Sequence, residues 1–171
     1  MEFKEYLVKR KKSTKEIILS VVFYLLAALL SFFSFGFIAI PMIGSLVMLV
    51  IMGLFFAAYK LSARFNREYE YIITGDGIDV DVIYNKTSRK RLASFSVKDV
   101  TVIASVDDEN QKHYLNGVFE KEVQATTNSK DADVYFAIVE KEGRLLVKFE
   151  PPYGALEIMK KHAPSKVFIK K

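Results

Sequence analysis

The chain has 171 residues with no cysteine and only two histidines, which excludes disulfides, thiolate metal sites and histidine-rich metal clusters. Its net charge of +5 is unevenly distributed: residues 1–67 carry nine Lys or Arg against three acids, whereas residues 68–171 carry sixteen against seventeen. Because the basic character is confined to the first third of the chain, we expect no nucleic-acid partner.

The first third of the chain contains a long uncharged segment. No Asp, Glu, Lys or Arg occurs in Ile17–Tyr59, a run of 43 residues. One bilayer-spanning helix needs about 20 apolar residues, so the run is long enough for two spans and a tight turn. We predict a transmembrane hairpin over 17–61, with helices at about 17–37 and 42–61, after a basic cytoplasmic segment at 1–16. A cleaved signal peptide is the competing interpretation, but its apolar core is only about 7–15 residues long.

Basic residues flank this hairpin on both sides. Six Lys or Arg precede the first helix, and Lys60, Arg64 and Arg67 follow or end the second, while the turn between them is uncharged. The positive-inside rule then places both termini in the cytoplasm, as expected for a multi-pass protein of the cell membrane. No ionisable residue lies within the spans, so a transport pathway through one hairpin is not expected.

Small residues recur at four-residue spacing in both predicted helices, Ala27 with Ser31 and Gly53 with Ala57. Such pairs let helices approach closely in lipid. They fit packing of the two helices within one chain or, alternatively, association of two chains. The expected partners are therefore the lipid bilayer and either a membrane protein or a second copy of the chain.

After Arg67 the apolar pattern changes from continuous to alternating. Alternation at period two, with Tyr, Ile, Val and Phe, is typical of half-buried strands. Turn residues separate the alternating segments, and a helical period follows Pro151. We predict a mainly-β cytoplasmic domain over 68–171, a small barrel or sandwich of about seven antiparallel strands with a C-terminal helix at about 153–163. The predicted strands are 68–74, 78–84, 91–97, 100–106, 117–125, 134–140 and 144–150.

The same segment carries a resemblance to a known family. The stretch that begins REYEYIITGDGIDVDVIY and ends in Ser96-Val97-Lys98-Asp99-Val100 resembles the opening of bacterial pleckstrin-homology-like domains, which often follow a transmembrane pair. The layout of nearly the whole chain, through FEPPYGALEIMKKHAP, is also similar to a family of small Gram-positive two-helix membrane proteins of unknown function. The resemblance implies a pleckstrin-homology-like fold and carries over no catalytic residue.

Three acids cluster beside two glycines in the segment YIITGDGIDVDVIY. An EF-hand loop starting at Asp76 would need a bidentate Glu at its twelfth position, where this chain has Thr87. The glycines instead suit a tight hairpin turn. Asp79 and Asp81 alternate with the apolar residues of the second strand, so we expect both to face water.

A first basic cluster, Lys9, Arg10, Lys11 and Lys12, precedes the hairpin. It has two interpretations. These residues either bind anionic lipid of the inner leaflet or a protein partner, or they serve only as the topology signal.

A second basic cluster lies in the third predicted strand. Arg89 and Arg91 point to one side of that strand and Lys90 to the other. The two arginines either contact an acidic ligand or lipid headgroup, or they offset Asp79 and Asp81 across a hairpin.

The chain has no P-loop and no Gly-x-Ser-x-Gly pattern, and the EF-hand pattern fails at Thr87, so we expect neither catalysis nor a bound metal or cofactor. It favours a non-enzymatic, membrane-anchored interaction or scaffold module that presents a β domain at the inner leaflet. The alternative is a lipid- or ligand-sensing regulatory subunit of a membrane protein complex.

Overall fold

The computed structural model describes residues 3–140 and 143–170 of the chain, which form two compact units. The helical unit comprises Lys12–Asn66. The β unit combines the residues up to Lys11 with those from Arg67 onward. The helical unit is therefore an insertion between two segments that fold together.

The helical unit consists of α1, Thr14–Phe35, and α2, Gly44–Ala63. The N-terminus of α1 is capped by Glu16, whose Oε2 accepts a hydrogen bond from the Ser13 N–H at 2.9 Å. Both helices are long and apolar enough to cross a membrane, and only 6% and 11% of the residues in their most apolar stretches are buried within the protein. Such continuous apolar exposure suits lipid rather than water as the surrounding medium.

The small residues of the two helices differ in their burial. Ala27 of α1 is buried, as is Ala58 of α2, so small side chains lie inside the helical unit. Gly53 and Ala57 are exposed, and a Cβ added to Gly53 would meet no heavy atom within 4 Å. The Gly53–Ala57 pair therefore lies on the outer surface of α2.

Among its described residues, the β unit contains two four-stranded sheets, one α-helix and two short 3₁₀ helices. The first sheet has the order β1-β2-β3-β4 and the second has the order β5-β7-β8-β6. The helix α3 follows the last strand and buries Leu156 and Met159 in the core shared by the two sheets. The elements are β1 Phe3–Lys9, β2 Arg67–Thr74, β3 Gly77–Tyr84, β4 Ser88–Ser96, β5 Val100–Ser105, β6 Lys121–Ala125, β7 Tyr135–Glu140, β8 Arg144–Phe149 and α3 Tyr153–His162.

This architecture confirms the predicted fold class, and it adds an eighth strand within residues 3–140 and 143–170. The residues predicted to form a separate basic segment include β1, which pairs antiparallel with β2 from Phe3 opposite Thr74 to Lys9 opposite Glu68. Tyr6 and Val8 of this strand pack against the core. Sequence periodicity alone did not reveal β1, because its partner lies on the far side of the helical insertion.

A second difference concerns strand direction. β6 pairs parallel to β8, with Val123 opposite Val147, whereas the prediction made all strands antiparallel. The other strand pairs in both sheets are antiparallel. A parallel pair needs a crossover connection rather than a tight turn, and β7 lies between β6 and β8 in sequence and supplies it.

The predicted hairpin around the two glycines is formed by β2 and β3, with Thr74 opposite Gly77. Gly75 in the turn has a φ of +61°, a left-handed conformation that glycine adopts without a steric penalty. Ile73 and Ile78 on either side of the turn are fully buried. The turn therefore sets a register that directs the apolar residues of both strands into the core.

Tyr71 of β2 connects the two sheets through the core. Its hydroxyl donates a hydrogen bond to the carbonyl oxygen of Ala125 in β6 and accepts one from the Glu150 N–H at 3.1 Å. Its ring packs edge-on against Phe149 with the centroids 5.8 Å apart. Burial raises the pKa of the Tyr71 hydroxyl, so this side chain is neutral. Its O–H group is therefore available to donate the hydrogen bond to the Ala125 carbonyl oxygen.

We expect the substitution Tyr71→Phe to lower the free energy of unfolding by about 1–3 kcal/mol, because it leaves the Ala125 carbonyl and the Glu150 N–H without their buried partner. Urea unfolding of the full chain in detergent measures this change. Tyr153→Phe is the matched control, since Tyr153 is 64% exposed. An equal loss in both variants would contradict a bridging role for Tyr71.

Candidate functional site

Two carboxylates are buried on the outer face of the first sheet, the face that points away from the core. Glu70 of β2 and Asp81 of β3 lie directly opposite each other, and the exposed fractions are 5% and 2%. Buried charges are costly unless they are paired, so their partners determine whether this face can bind anything else.

Arg89 and Arg91 of β4 supply these partners. The Arg89 guanidinium forms an ion pair with Glu70 and lies 3.9 Å from carboxylate oxygens of both Glu5 and Asp81. We call the six residues of this network the outer-face cluster, namely Glu5, Glu70, Asp79, Asp81, Arg89 and Arg91.

Arg91 completes the outer-face cluster. Its Nε lies 3.0 Å from Asp81 Oδ1, and its Nη1 lies 2.9 Å from Asp79 Oδ2. These contacts raise the pKa of the Arg91 guanidinium, chiefly through its hydrogen bond to Asp81. The structure thus brings the two arginines onto the acids of the neighbouring strands, the arrangement that the second interpretation of this cluster describes.

The prediction that both acids of β3 face water is wrong for Asp81. The side chain does point away from the core, but it is 2% exposed because Arg89 and Arg91 cover it. Strand alternation gives the direction of a side chain, whereas its hydration depends on neighbours from other strands.

Glu70 has a raised pKa. Burial is the main cause, followed by a hydrogen bond with the Glu5 carboxyl, while the nearby Arg89 acts in the opposite direction. The folded protein therefore holds this proton more tightly than the unfolded chain does.

The first basic cluster lies where the chain leaves the β unit. The Arg10 N–H donates to the Arg67 carbonyl oxygen at 3.1 Å, so the ends of β1 and β2 are held together. Lys11 donates from its backbone N–H to the Thr127 carbonyl oxygen at 2.7 Å and from its Nζ to Ser129 at 3.2 Å. Arg10 thus helps to close the first sheet, and Lys11 links the end of β1 to the loop that follows β6 of the second sheet.

The other two members of that cluster are placed differently. Lys9 is an exposed residue at the end of β1, and Lys12 is half-buried at the start of the helical unit. Contacts of Lys9, Arg10, Lys11 and Lys12 with a lipid or a partner protein stay predictions, as do those of Arg89 and Arg91.

A cleft of about 260 Å³ lies between β4 and β6, which are the edge strands of the two sheets. We call it the β4–β6 cleft. Its lining combines apolar and aromatic side chains with four basic residues and one acid. The lining residues are Arg67, Tyr69, Val82, Tyr84, Lys90, Arg91, Leu92, Lys121, Glu122, Val123 and Gln124.

Three cations of the cleft come from different strands. Lys90 lies opposite Val82 and so shares the inner face of the first sheet, away from the outer-face cluster. Lys121 of β6 reaches across to β4, where its Nζ donates to the Leu92 carbonyl oxygen at 2.9 Å. The Arg67 guanidinium lies 5.7 Å from the centre of the Tyr84 ring, a cation–π distance.

The cleft is the feature that sequence reasoning missed. Strand alternation predicts only that Lys90 points away from Arg89 and Arg91. No sequence pattern around Lys121 indicates a binding role. Only the packing of the second sheet against the first brings Lys121 near Lys90.

Within the described residues, no group of three or more His, Asp or Glu side chains is arranged to hold a metal.

Glu70 predicts a specific pH dependence. Its proton contributes stability below the ordinary pKa of 4.5, and this contribution is lost as the pH rises through the raised pKa of the folded state. We expect the free energy of unfolding, measured by urea titration across this pH window, to fall less steeply with pH in Glu70→Gln than in the natural chain. Glu157→Gln on the exposed side of α3 is the control and should retain the natural slope. Identical slopes in all three proteins would contradict the assignment to Glu70.

The chain was compared with known proteins. No curated protein and no solved structure matches it. The profile of the family described as Bacterial PH-like domain (DUF6106) matches residues 2–169, nearly the whole chain, including the helical insertion. The two sheets and the C-terminal helix of the β unit are consistent with that fold. The chain therefore belongs to the bacterial PH-like domain family.

Proposed function

We propose that this protein is a non-enzymatic, membrane-anchored interaction module that presents its β unit at the inner leaflet. The observation that carries the proposal is the pairing of β1 with β2 on either side of the helical insertion. Two apolar helices that are inserted within a folded domain hold that domain close to the membrane that they cross. PH-like domains are in general non-catalytic, which agrees with a binding role.

The strand pairing supports an even number of membrane crossings. Arg10 and Arg67 are joined by a backbone hydrogen bond, so the chain enters and leaves the helical unit at neighbouring points of one sheet. A single crossing would separate β1 from β2 by the thickness of the bilayer and is incompatible with their pairing. Two crossings by α1 and α2 satisfy this constraint.

The charge distribution supports the cytoplasmic side for the β unit. Nine Lys or Arg occur in residues 1–67, all outside Ile17–Tyr59, and the turn between the helices has none. Positive charge on the flanks retains them in the cytoplasm during insertion. Anchoring there raises the effective concentration of the β unit towards other membrane proteins.

A second candidate function is a ligand- or lipid-sensing subunit of a membrane complex. The observation that favours it is the β4–β6 cleft, which is lined by both basic and aromatic side chains. A clustered basic rim attracts anionic ligands. This function requires the same anchoring. It differs from the first in that the β unit binds a lipid or small ligand rather than a protein partner.

The absence of native cysteine makes the topology testable by single-cysteine labelling. We expect Ala39→Cys, in the exposed turn between α1 and α2, to react with a membrane-impermeant maleimide in intact cells. Ser165→Cys, an exposed position after α3, should react only after the cells are opened. The reverse pattern, or labelling of both in intact cells, would contradict a cytoplasmic β unit.

Recovery of partners tests the binding role. The full chain, cross-linked in the membranes of its own cells and purified, should retain a stoichiometric protein partner. A retained lipid or metabolite without such a protein would favour the sensing function instead. Recovery of neither, from membranes in which the labelling pattern is as expected, would contradict both functions.

A further inference from the structure

We propose that the β4–β6 cleft binds a phosphate-bearing ligand, with Lys90 and Lys121 as its principal cationic contacts. The inference rests on the proposed function for the anchoring of the β unit and adds the ligand chemistry. It places the anion contact at residues other than Arg89, Arg91 and the first basic cluster.

The charge balance of the cleft supports an anionic ligand. Of its four basic residues, Arg91 is already neutralised by Asp79 and Asp81 on the outer face. Lys90 and Lys121 are exposed, and among the described residues no carboxylate oxygen lies within 4 Å of either Nζ. Two lysines on facing strand edges thus supply charge that the rest of the cleft, with the single acid Glu122, does not balance.

The donor geometry of Lys121 suits an exchangeable contact. Its Nζ donates to a backbone carbonyl, that of Leu92, at 2.9 Å on the protein surface. A lysine ammonium has three donors on a flexible stem, so it can turn towards an anion in the cleft. In its bond to the carbonyl only the donor is charged, whereas in a bond to phosphate both donor and acceptor are charged, which favours the exchange.

The size and the apolar lining of the cleft limit which ligands it can hold. About 260 Å³ lies just below the range of about 300–1,000 Å³ that is typical of pockets for drug-sized molecules. This space suits a phosphate group with a short organic substituent. Tyr84, half-buried beneath Arg67, and the buried Tyr69 and Val82 provide an apolar and aromatic surface for that substituent.

Two sources share this chemistry, an anionic lipid headgroup and a soluble phosphate ester. Arg67 is both a lining residue and the first residue of β2, immediately after the helical unit. A lining residue of the cleft thus follows the helical unit directly in sequence, and this makes a lipid headgroup a candidate source beside a soluble ester. The experiment below separates the two sources.

The test uses the full chain with ¹³C-labelled tyrosine rings. Two titrations are compared at constant ionic strength: inorganic phosphate added to protein in a neutral maltoside detergent, and phosphatidylglycerol introduced into phosphatidylcholine nanodiscs. We expect a saturable shift of the Tyr84 ring signal, because this residue lines the cleft. The Tyr153 signal, from an exposed ring on α3 that does not line the cleft, should stay unchanged.

Paired variants identify the cations. Lys90→Gln combined with Lys121→Gln should weaken binding at least about tenfold per lysine, since each removes a charge-assisted contact. Lys112→Gln combined with Lys130→Gln is the charge-matched control, because both residues are exposed and neither lines the cleft. The control should bind as the natural chain does.

Each outcome decides the inference. A shift with phosphatidylglycerol alone supports a headgroup, a shift with phosphate alone supports a soluble ester, and a shift with both supports a site for either. No Tyr84 response in both titrations, full binding by the Lys90/Lys121 variant, or equal weakening in the control would overturn the inference. The cysteine-labelling pattern and the recovery of a protein partner do not depend on the cleft, so failure of the cleft to bind is distinguishable from failure of the proposed interaction module.

Discussion

The pairing of β1 with β2 is the constraint on which the rest of the structure depends. It closes the chain across the whole helical unit and makes Phe3–Lys9 part of the same sheet as Arg67–Thr74. Because of this pairing, the two helices are an insertion in a β domain rather than an anchor attached to one end of it. The pairing also carries the topological argument, since strands that share hydrogen bonds must lie on the same side of any membrane.

The first sheet separates its charges between two faces. On the outer face, Arg89 and Arg91 neutralise carboxylates that would be costly to bury alone, and this network penalises a one-residue slip that would direct those charges into the core. On the inner face, Lys90 lines the β4–β6 cleft together with Lys121 of the second sheet. One run of three basic residues thus serves both the stability of the sheet and the proposed binding of an anion.

Sequence patterns predicted the features that depend on local order. The apolar run gave two helices, and alternation at period two located seven of the strands, because these signals lie within a few residues of one another. Strand β1, the parallel pairing of β6 and the β4–β6 cleft depend on contacts between distant segments. Glu70 illustrates the limit: strand alternation predicts that its side chain points outward, but its pKa depends on contacts with other strands. Burial and a hydrogen bond with Glu5 of β1 raise this pKa, and Arg89 of β4 acts in the opposite direction.

The split β domain also imposes an order on biosynthesis. β1 is made before α1, but its partner β2 is made only after α2, so Tyr6 and Val8 stay without their core until the complete hairpin has been synthesised. Closing so long a loop is entropically costly for a free chain, and packing of α1 against α2 shortens that search. The β fold is therefore completed only after both helices have been synthesised, and a chain that stops between them leaves β1 without its partner strand.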